Sequence, residues 1–249
     1  MLVTGGARRI GAAIARRFSE AGWHVVIHYG SSHAEALRLA DELPSAECVQ
    51  CDLADGDAGV AMVEALAARL PDWRALVNCA AIFDADSVTE LDPAPYARTM
   101  QINARTPIRM AQAYLSHARA EGGRRVIQLT DQKLANPNPD FFSYTMSKHA
   151  VAAGVTMLAM GAAKASDRVY ALAPGAILAS HDQSEDETEV SHRMNLLQRK
   201  TGATEVADAA LFLAGGHLTS GQTLYVDSGQ HLLAQPRDVI YLAREGVDA

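Results

Sequence analysis

The sequence predicts an α/β fold: a single domain over residues 1–249, built on one doubly wound parallel sheet of about seven strands flanked by helices. Three observations support this prediction. Short apolar runs alternate with amphipathic stretches along the whole chain. No internal repeat, low-complexity tract or linker divides it. The 249 residues are 49% hydrophobic, which is enough for one sizeable core.

The predicted strands are the apolar runs at 1–4, 23–29, 46–51, 75–78, 125–129, 169–173 and 223–226. The predicted helices lie between them, at 10–21, 34–43, 59–70, 93–118, 143–163 and 205–214, where apolar residues recur at helical spacing. Because strands alternate with helices, we expect right-handed crossovers, parallel strands and helices on both faces of the sheet.

Composition argues against several classes of protein. A net charge of −7 disfavours nucleic-acid binding, which needs a basic surface. No run of eighteen apolar residues is long enough to cross a membrane. The N-terminus lacks the features of a signal peptide, so we expect a cytoplasmic protein. The nine histidines are scattered and none stands at ligand spacing from acids or cysteines, so no metal site is predicted.

A glycine-rich turn joins the first predicted strand to the first helix, with the sequence TGGARRIG at residues 4–11. Glycines let the backbone turn tightly and approach a pyrophosphate, which then binds the free N–H groups of the helix N-terminus. The spacing is close to TGxxxGxG, with Arg9 where the middle glycine usually lies. The turn indicates a dinucleotide site on a Rossmann-like sheet, although such a turn can also be purely structural.

Tyr144 and Lys148 are four residues apart in a predicted helix and therefore share one of its faces. A phenol and an ammonium can converge there on one site. A nearby cation favours the phenolate, so we expect the lysine to lower the pKa of Tyr144 from about 10. Beside the glycine turn, in an alternating α/β chain, this pair indicates a proton-transfer site.

These motifs, in this order, resemble those of the short-chain dehydrogenase/reductase family over nearly the whole chain. NCAA at 78–81 resembles the family's NNAG turn, PG at 174–175 its PG, and VDSG at 226–229 its closing VDGG. Asn103 matches its catalytic asparagine. The resemblance implies an oxidoreductase that assembles as a homotetramer. It also implies cofactor contacts at Gly5, Arg8, Arg9, Ile10, Tyr29, Ser31, Ser32, Asp52, Leu53, Asn78, Ala80, Tyr144, Lys148, Pro174 and Gly175.

Asp131 is the main departure from the family. Most relatives carry a serine thirteen residues before the tyrosine, where it donates a hydrogen bond to a substrate carbonyl oxygen. An ionised carboxylate only accepts hydrogen bonds, and it would repel the alkoxide formed in ketone reduction. Thr130 points to the other face of its strand and cannot substitute. Either the enzyme is inactive or its substrate presents donors, or needs a proton, at this point.

The pteridine reductases of this family carry aspartate at that position. A pterin offers amine and ring N–H donors, and reduction of its C=N bond requires protonation at nitrogen. Arg9 matches the subgroup's arginine, which can touch both pyrophosphate and pterin, and Phe83 matches the aromatic residue that stacks on the pterin. A core aromatic beneath a loop is the alternative for Phe83. Substrate contacts are therefore expected from Arg9, Phe83, Asp131 and Tyr144.

The end of the second strand bears on the choice of cofactor. NAD-selective sites place an acid there, and none occurs between Val25 and Ala34. Ser31, Ser32 and Arg8 could instead hold a 2′-phosphate, so NADPH is predicted. The arginine that some pteridine reductases carry in this segment is replaced by Ser31.

Three further segments carry expectations. Pro107 cannot donate to the carbonyl of residue 103, so the helix over 93–118 should kink there. The freed carbonyl could hold a water that links Lys148 to solvent, or the kink could only curve the helix round the core. The acidic segment near 179–200 is a substrate lid or a solvated loop. The tail over 232–249 has no assigned role.

The sequence therefore predicts an NADPH-dependent reductase acting on a pterin, with Asn103, Asp131, Tyr144 and Lys148 as catalytic residues. Two alternatives stay open. One is a reductase of small ketones or quinones that has adapted to Asp131. The other is a catalytically silent NADPH-binding sensor or scaffold, which the intact asparagine, tyrosine and lysine disfavour.

Overall fold

A computed structural model describes residues 1–179 and 183–247. Seven parallel strands form one sheet in the order β3-β2-β1-β4-β5-β6-β7, which confirms the predicted fold class. The strands are β1 (Leu2–Val3), β2 (Val25–Tyr29), β3 (Ala46–Gln50), β4 (Ala75–Asn78), β5 (Arg125–Leu129), β6 (Arg168–Pro174) and β7 (Thr223–Val226). The strand order reverses between β1 and β4, so a crevice opens at the carboxyl ends of these strands.

Helices cover both faces of the sheet. They are α1 (Arg9–Glu20), α2 (His33–Glu42), α3 (Gly56–Arg69), α4 (Pro93–Met100), α5 (Thr106–His117), α6 (Phe142–Gly161), α7 (Glu185–Ser191), α8 (Ala203–Ala214) and α9 (Val239–Val247). One core lies under α1, α2 and α8, and a second lies under α3, α5 and α6. All five residues of β2 are buried, because a parallel strand packed on both faces has no solvent side.

The helix predicted over 93–118 is helical from residue 93 to residue 117, but it is not one regular α-helix. A π-helical turn at Gln101–Arg105 separates α4 from α5, and Thr106 N donates to Gln101 O five residues earlier. The turn ends two residues before Pro107, which has no N–H with which to continue regular helical bonding. Such single π turns are frequent at functional sites, and this one carries Asn103.

The C-terminal segment, residues 233–247, packs against the acidic segment and the loop before α6. Its helix α9 packs against α7, and Arg244 Nε lies 2.9 Å from Glu187 Oε1. Part of the expected acidic loop is thus the helix α7. Ser184 and Glu187 form a capping box at its N-terminus. Residues 180–182 of the predicted lid lie outside the described residues. Within the described ranges, no helix has both the length and the apolar character needed to cross a bilayer.

Candidate active site

A cavity of about 440 Å³ opens at the carboxyl ends of the strands. Most residues predicted to bind cofactor or substrate line it: Gly5, Arg8, Arg9, Ile10, Tyr29, Ser32, Ala80, Phe83, Asp131, Tyr144, Lys148, Pro174 and Gly175. The fold thus brings together parts of the chain that are far apart in sequence: Gly5 and Ile240 both line the cavity, and the Arg9 guanidinium contacts the main-chain oxygen of Ala179.

Five predicted site residues do not line the cavity. Ser31 is exposed beyond its rim, and the Asp52 carboxylate accepts from the main chain two residues further on. Leu53 packs into the core beneath α3. The Asn78 amide donates to a main-chain carbonyl of α5, and Asn103 is bonded to the main chain of residue 82. Their expected contacts stay predictions.

The glycine turn and the turn after β4 form one packed unit. Gly5 has φ +62°, and a Cβ there would lie 3.0 Å from Ala80 Cα. Thr4 Oγ1 accepts from Cys79 N at 2.9 Å and from Ala80 N at 3.1 Å. A larger residue at position 5 would therefore clash with the opposite turn and would also need a strained backbone.

The geometry of this region fits a dinucleotide. Arg8, the N-cap of α1, is extended and gives no side-chain cap, and the first turn of α1 carries no acid. The first N–H groups of the helix are therefore available to phosphate oxygens. At the rim, the Arg8 guanidinium lies 3.8 Å from the carboxylate of Glu35, the first acid after the segment from Val25 to Ala34. The Arg8 side chain stays largely exposed.

Arg9 adopts a left-handed backbone, with φ +54°, at the position where the family usually has glycine. That conformation costs a non-glycine residue roughly 1–2 kcal/mol. Its guanidinium donates to Ala179 O at 2.9 and 3.0 Å and to Leu178 O at 3.3 Å. The side chain thus spans from the glycine turn to the start of the predicted lid, across the mouth of the cavity.

His28 is a component of the site that our sequence analysis missed. Its Nδ1 accepts from Gly5 N at 3.1 Å, so Nε2 is left to donate to Cys51 O at 3.0 Å. Burial lowers the pKa of His28, and the ring is neutral in this bridging role. A histidine inside an otherwise apolar strand beside a glycine turn was the available signal.

Tyr144 and Asp131 form the central polar contact of the cavity. Tyr144, in the first turn of α6, donates its hydroxyl hydrogen to Asp131 Oδ2 at 2.9 Å. Asp131 follows β5, and its Oδ1 accepts from Lys133 N at 2.9 Å, where it caps a short 3-10 turn. The Thr130 hydroxyl donates to Leu172 O, so it is directed away from this contact.

The expected lowering of the tyrosine pKa is wrong for this structure. Burial, followed by the charge and hydrogen bond of Asp131, raises the pKa of Tyr144 well above 10.0. Burial also raises the pKa of Asp131, against the opposing effect of Lys133. Lys148 Nζ lies 5.3 Å from the centre of the Tyr144 ring and donates to Leu129 O at 2.7 Å. The environment therefore favours the protonated forms of both acids.

Asn103 secures the region beneath this pair. Its Oδ1 accepts from Ile82 N, and its Nδ2 donates to Ile82 O and, at 3.2 Å, to Ser147 Oγ. Ser147 Oγ in turn donates to Tyr144 O at 2.6 Å. The amide thus fixes the loop after β4 against the helix that carries Tyr144 and Lys148.

An aromatic cluster forms the substrate end of the cavity. Phe83 stacks on Phe141 with ring centres 4.0 Å apart and an interplanar angle of 16°, and it meets Tyr144 edge-on at 4.7 Å. Tyr241 stacks behind Phe141 at 5.9 Å. Ile240 belongs to the same apolar cluster. Phe83 is thus part of the cavity wall and lies outside the main core.

The C-terminal segment and the end of α7 complete this wall. Asp238, Val239 and Ile240 line the cavity, as do Ser191 and His192. The sequence of the tail predicts no role for it, because nothing in its composition shows where it lies. Among residues 1–179 and 183–247, no cluster of three or more potential metal ligands occurs.

Comparison with known proteins identifies the family. A family model described as enoyl-(acyl carrier protein) reductase matches residues 5–231. The chain belongs to the short-chain dehydrogenase/reductase family. A dihydromonapterin reductase from Citrobacter koseri is 27% identical over 234 residues, which cover 93% of this chain and 96% of that protein.

Two solved members of the family are similar over their whole length. The FolM alternative dihydrofolate reductase 1 from Brucella canis, complexed with NADP, is 33% identical with a TM-score of 0.87, and 95% of each chain is covered. The corresponding protein from Brucella suis, also in complex with NADP, is 32% identical with a TM-score of 0.88, over 94% of this chain and 95% of that one.

The predicted family, its similarity to the pterin reductases and the oxidoreductase class are thus confirmed. Within this family of reductases, the chain keeps Tyr144, Lys148 and Asn103, and it departs at Asp131. The departure is central to the question of substrate.

Proposed function

We propose that this protein reduces a C=N bond of a pterin with NADPH. The observation that carries the proposal is the Asp131–Tyr144 contact, in which a carboxyl takes the place of the serine that most relatives use. A hydroxyl at that point serves a substrate oxygen that accepts hydrogen bonds. A carboxyl serves a substrate that presents N–H donors and takes up a proton at nitrogen.

NADPH is the cofactor. Three observations support NADPH. The glycine turn and the uncapped start of α1 fit a dinucleotide, no acid stands at the end of β2, and the two Brucella structures hold NADP. When bound, NADPH supplies the hydride. Lys148 would hold the nicotinamide ribose, and Pro174 and Gly175 would border the nicotinamide end of the cavity.

Proton delivery falls to the chain's own side chains. Tyr144 would donate its proton to the ring nitrogen, since its environment keeps the phenol protonated. Asp131 would orient the ring by accepting hydrogen bonds from its N–H groups and, through its hydrogen bond with Tyr144, would assist proton delivery. Asn103 would position the helix that carries the tyrosine.

Ring recognition would come from Phe83 and Arg9. One face of the Phe83 ring is covered by Phe141, and the residue lines the cavity beside Tyr144. We propose that a planar pterin stacks against this wall. Arg9, at the mouth of the cavity, would contact both pyrophosphate and substrate, which requires it to leave the carbonyls of Leu178 and Ala179.

A substrate panel tests the proposal. NADPH oxidation is measured with dihydropterins, dihydrofolate, a simple ketone and a quinone, in the parent and in Tyr144→Phe as a blank. We expect the highest kcat/KM with a dihydropterin. A carbonyl reductase would prefer the ketone or quinone, and a silent sensor would bind NADPH while oxidising it no faster than the blank. Either result refutes the proposal.

The predicted homotetramer and cytoplasmic location stay predictions of the family resemblance and of the N-terminal sequence. Light scattering on the purified protein measures the first, and a tetrameric mass is expected.

A further inference from the structure

The C-terminal segment is held at the substrate end of the cavity by a buried ion pair. Lys133 Nζ lies 2.7 Å from Asp238 Oδ2, and the two side chains are 4% and 9% exposed. The lysine also donates to Asp140 O at 3.1 Å and to Asn138 Oδ1 at 3.2 Å. These contacts of the Lys133 ammonium lie in the loop before α6 and in the C-terminal segment.

A second ion pair anchors the same segment from the surface. Arg237 Nε lies 2.8 Å from Asp140 Oδ2, and Asp238 N donates to that same oxygen at 2.8 Å. Asp238 Oδ1 also accepts from Ile240 N at 3.0 Å, a hydrogen bond within the first turn of α9. The C-terminal segment is thus bonded to the loop before α6 by the main chain of Asp238 and by the charged side chains of Arg237 and Asp238.

The ion pair adjoins the residues proposed to deliver the proton. Lys133 N donates to Asp131 Oδ1, and its ammonium lies 5.1 Å from the centre of the Phe141 ring. Ile240 packs with Tyr144 and Phe141 in one buried cluster. Any displacement of Asp238 therefore changes both the charge next to Asp131 and the packing against Tyr144.

We propose that Asp238 is a positioning residue: through Lys133 it holds Asp131 and Tyr144 in their hydrogen-bonded geometry, and it couples the seating of the C-terminal segment to proton delivery. The inference rests on the proposed roles of Asp131 and Tyr144. It assigns to the C-terminal segment a function that is separate from the choice of substrate.

The two charges of the pair act on the proton donors in opposite senses. The carboxylate of Asp238 raises the pKa of Tyr144 after the larger effects of burial and Asp131, and the ammonium of Lys133 lowers the pKa of Asp131 against burial. Removal of the Asp238 carboxylate should therefore lower the pKa of Tyr144 and favour loss of its proton. Removal of the Lys133 ammonium should raise the pKa of Asp131 and favour retention of a proton by the Asp131–Tyr144 pair. The titratable and charged groups around the pair are Cys79, Asp131, Asp140, Tyr144, Lys148 and Arg237.

The test compares two single variants by the basic limb of the kcat/KM pH profile, which reports the proton donors of the free enzyme. In Asp238→Asn, we expect the limb to move to lower pH by on the order of one unit. In Lys133→Met, we expect it to move to higher pH. Glu245→Gln is the matched control, because it removes one negative charge from the same C-terminal segment, at an exposed position 3.7 Å from the Arg237 guanidinium.

A purely structural role gives a different result. If the pair only fastened the segment, both single variants would loosen it and shift the limb in the same direction. That result, or an Asp238→Asn profile that matches Glu245→Gln, overturns the proposal. Profiles are measured with whichever substrate the parent reduces fastest, so the test stands even if that substrate is not a pterin.

A double variant keeps the test decisive if Asp238→Asn does not fold. Lys133→Met/Asp238→Leu replaces a buried ion pair by apolar side chains, a change that folded proteins often tolerate. It differs from Lys133→Met by the Asp238 charge, so its basic limb should lie at lower pH than that of the single variant. Identical limbs in these two proteins would show that the charge has no effect on proton delivery.

Discussion

Replacement of Asp131 by serine separates pterin reduction from carbonyl reduction. The carboxylate accepts from Tyr144 Oη and from Lys133 N, each at 2.9 Å, and the mostly buried residue lines the cavity, where a substrate donor would reach it. Serine is shorter and cannot reproduce two acceptor oxygens. Asp131→Asn is the matched control, because it keeps the size and one oxygen but removes the charge.

The size of the effect follows from the hydrogen bonds lost. A hydrogen bond to a charged group contributes about 1.5–3 kcal/mol. At 1.4 kcal/mol for each factor of ten, the loss of one such bond to a substrate N–H lowers kcat/KM about 10- to 150-fold. We expect a loss in this range or greater for a dihydropterin in Asp131→Ser, and a smaller loss in Asp131→Asn.

The assay uses one pterin and one ketone with the parent and the serine variant, and gives four rates of NADPH oxidation. Weak ketone reduction should appear in Asp131→Ser, because the change restores the family's usual hydroxyl and removes a charge that repels the developing oxyanion. Full pterin turnover in the serine variant would refute the reasoning. So would a parent enzyme that reduces the ketone faster than the pterin.

Three further predictions concern the cofactor end and the proton donor. Tyr144→Phe and Lys148→Met should each lower kcat about a hundred- to ten-thousandfold with an unchanged circular dichroism spectrum, and a near-normal rate in a folded Tyr144→Phe would remove the proposed donor. NADPH should bind more tightly than NADH in titrations, and Arg8→Ala should narrow the difference; equal affinities in the parent would contradict the assignment. In urea unfolding, Arg9→Gly should have a free energy of unfolding about 1 kcal/mol higher than Arg9→Ala, because only glycine relieves the left-handed backbone. Both variants should raise the substrate KM. Equal free energies of unfolding would show that the backbone at residue 9 is unstrained.

The fold could be predicted because its main determinants are local. Parallel strands buried on both faces are short apolar runs, and amphipathic helices show their period in sequence. The carboxyl ends of parallel strands lie at one edge of a sheet, and residues that follow β1, β4, β5 and β6 there line the cavity together. The π turn after α4 was missed, since it arises from hydrogen bonding around Pro107 and Asn103 and has no apolar pattern of its own.

The parts of the site that the sequence did not predict depend on long-range packing. Asp238 lies 105 residues after Lys133 in the chain, and neither residue stands in a motif. The bridging role of His28 could not be predicted either, because its ring joins the glycine turn to the segment after β3, which is distant in sequence. The raised pKa of Tyr144 was missed for the same reason: burial outweighs the lysine, and burial is a property of the folded chain.

The ring stack of Phe83, Phe141 and Tyr241 has a consequence for any attempt to redesign substrate choice. The three rings come from three distant parts of the chain, and the middle one has a left-handed backbone, with φ +53°. Each ring supports the position of the next, so the effects of substitutions at these positions should not add. A library that varies one position at a time would sample mainly collapsed or displaced stacks. Productive variants should instead be sought among combined changes at residues 83, 141 and 241, with an aromatic ring kept behind Phe83, the ring of the three that lines the cavity.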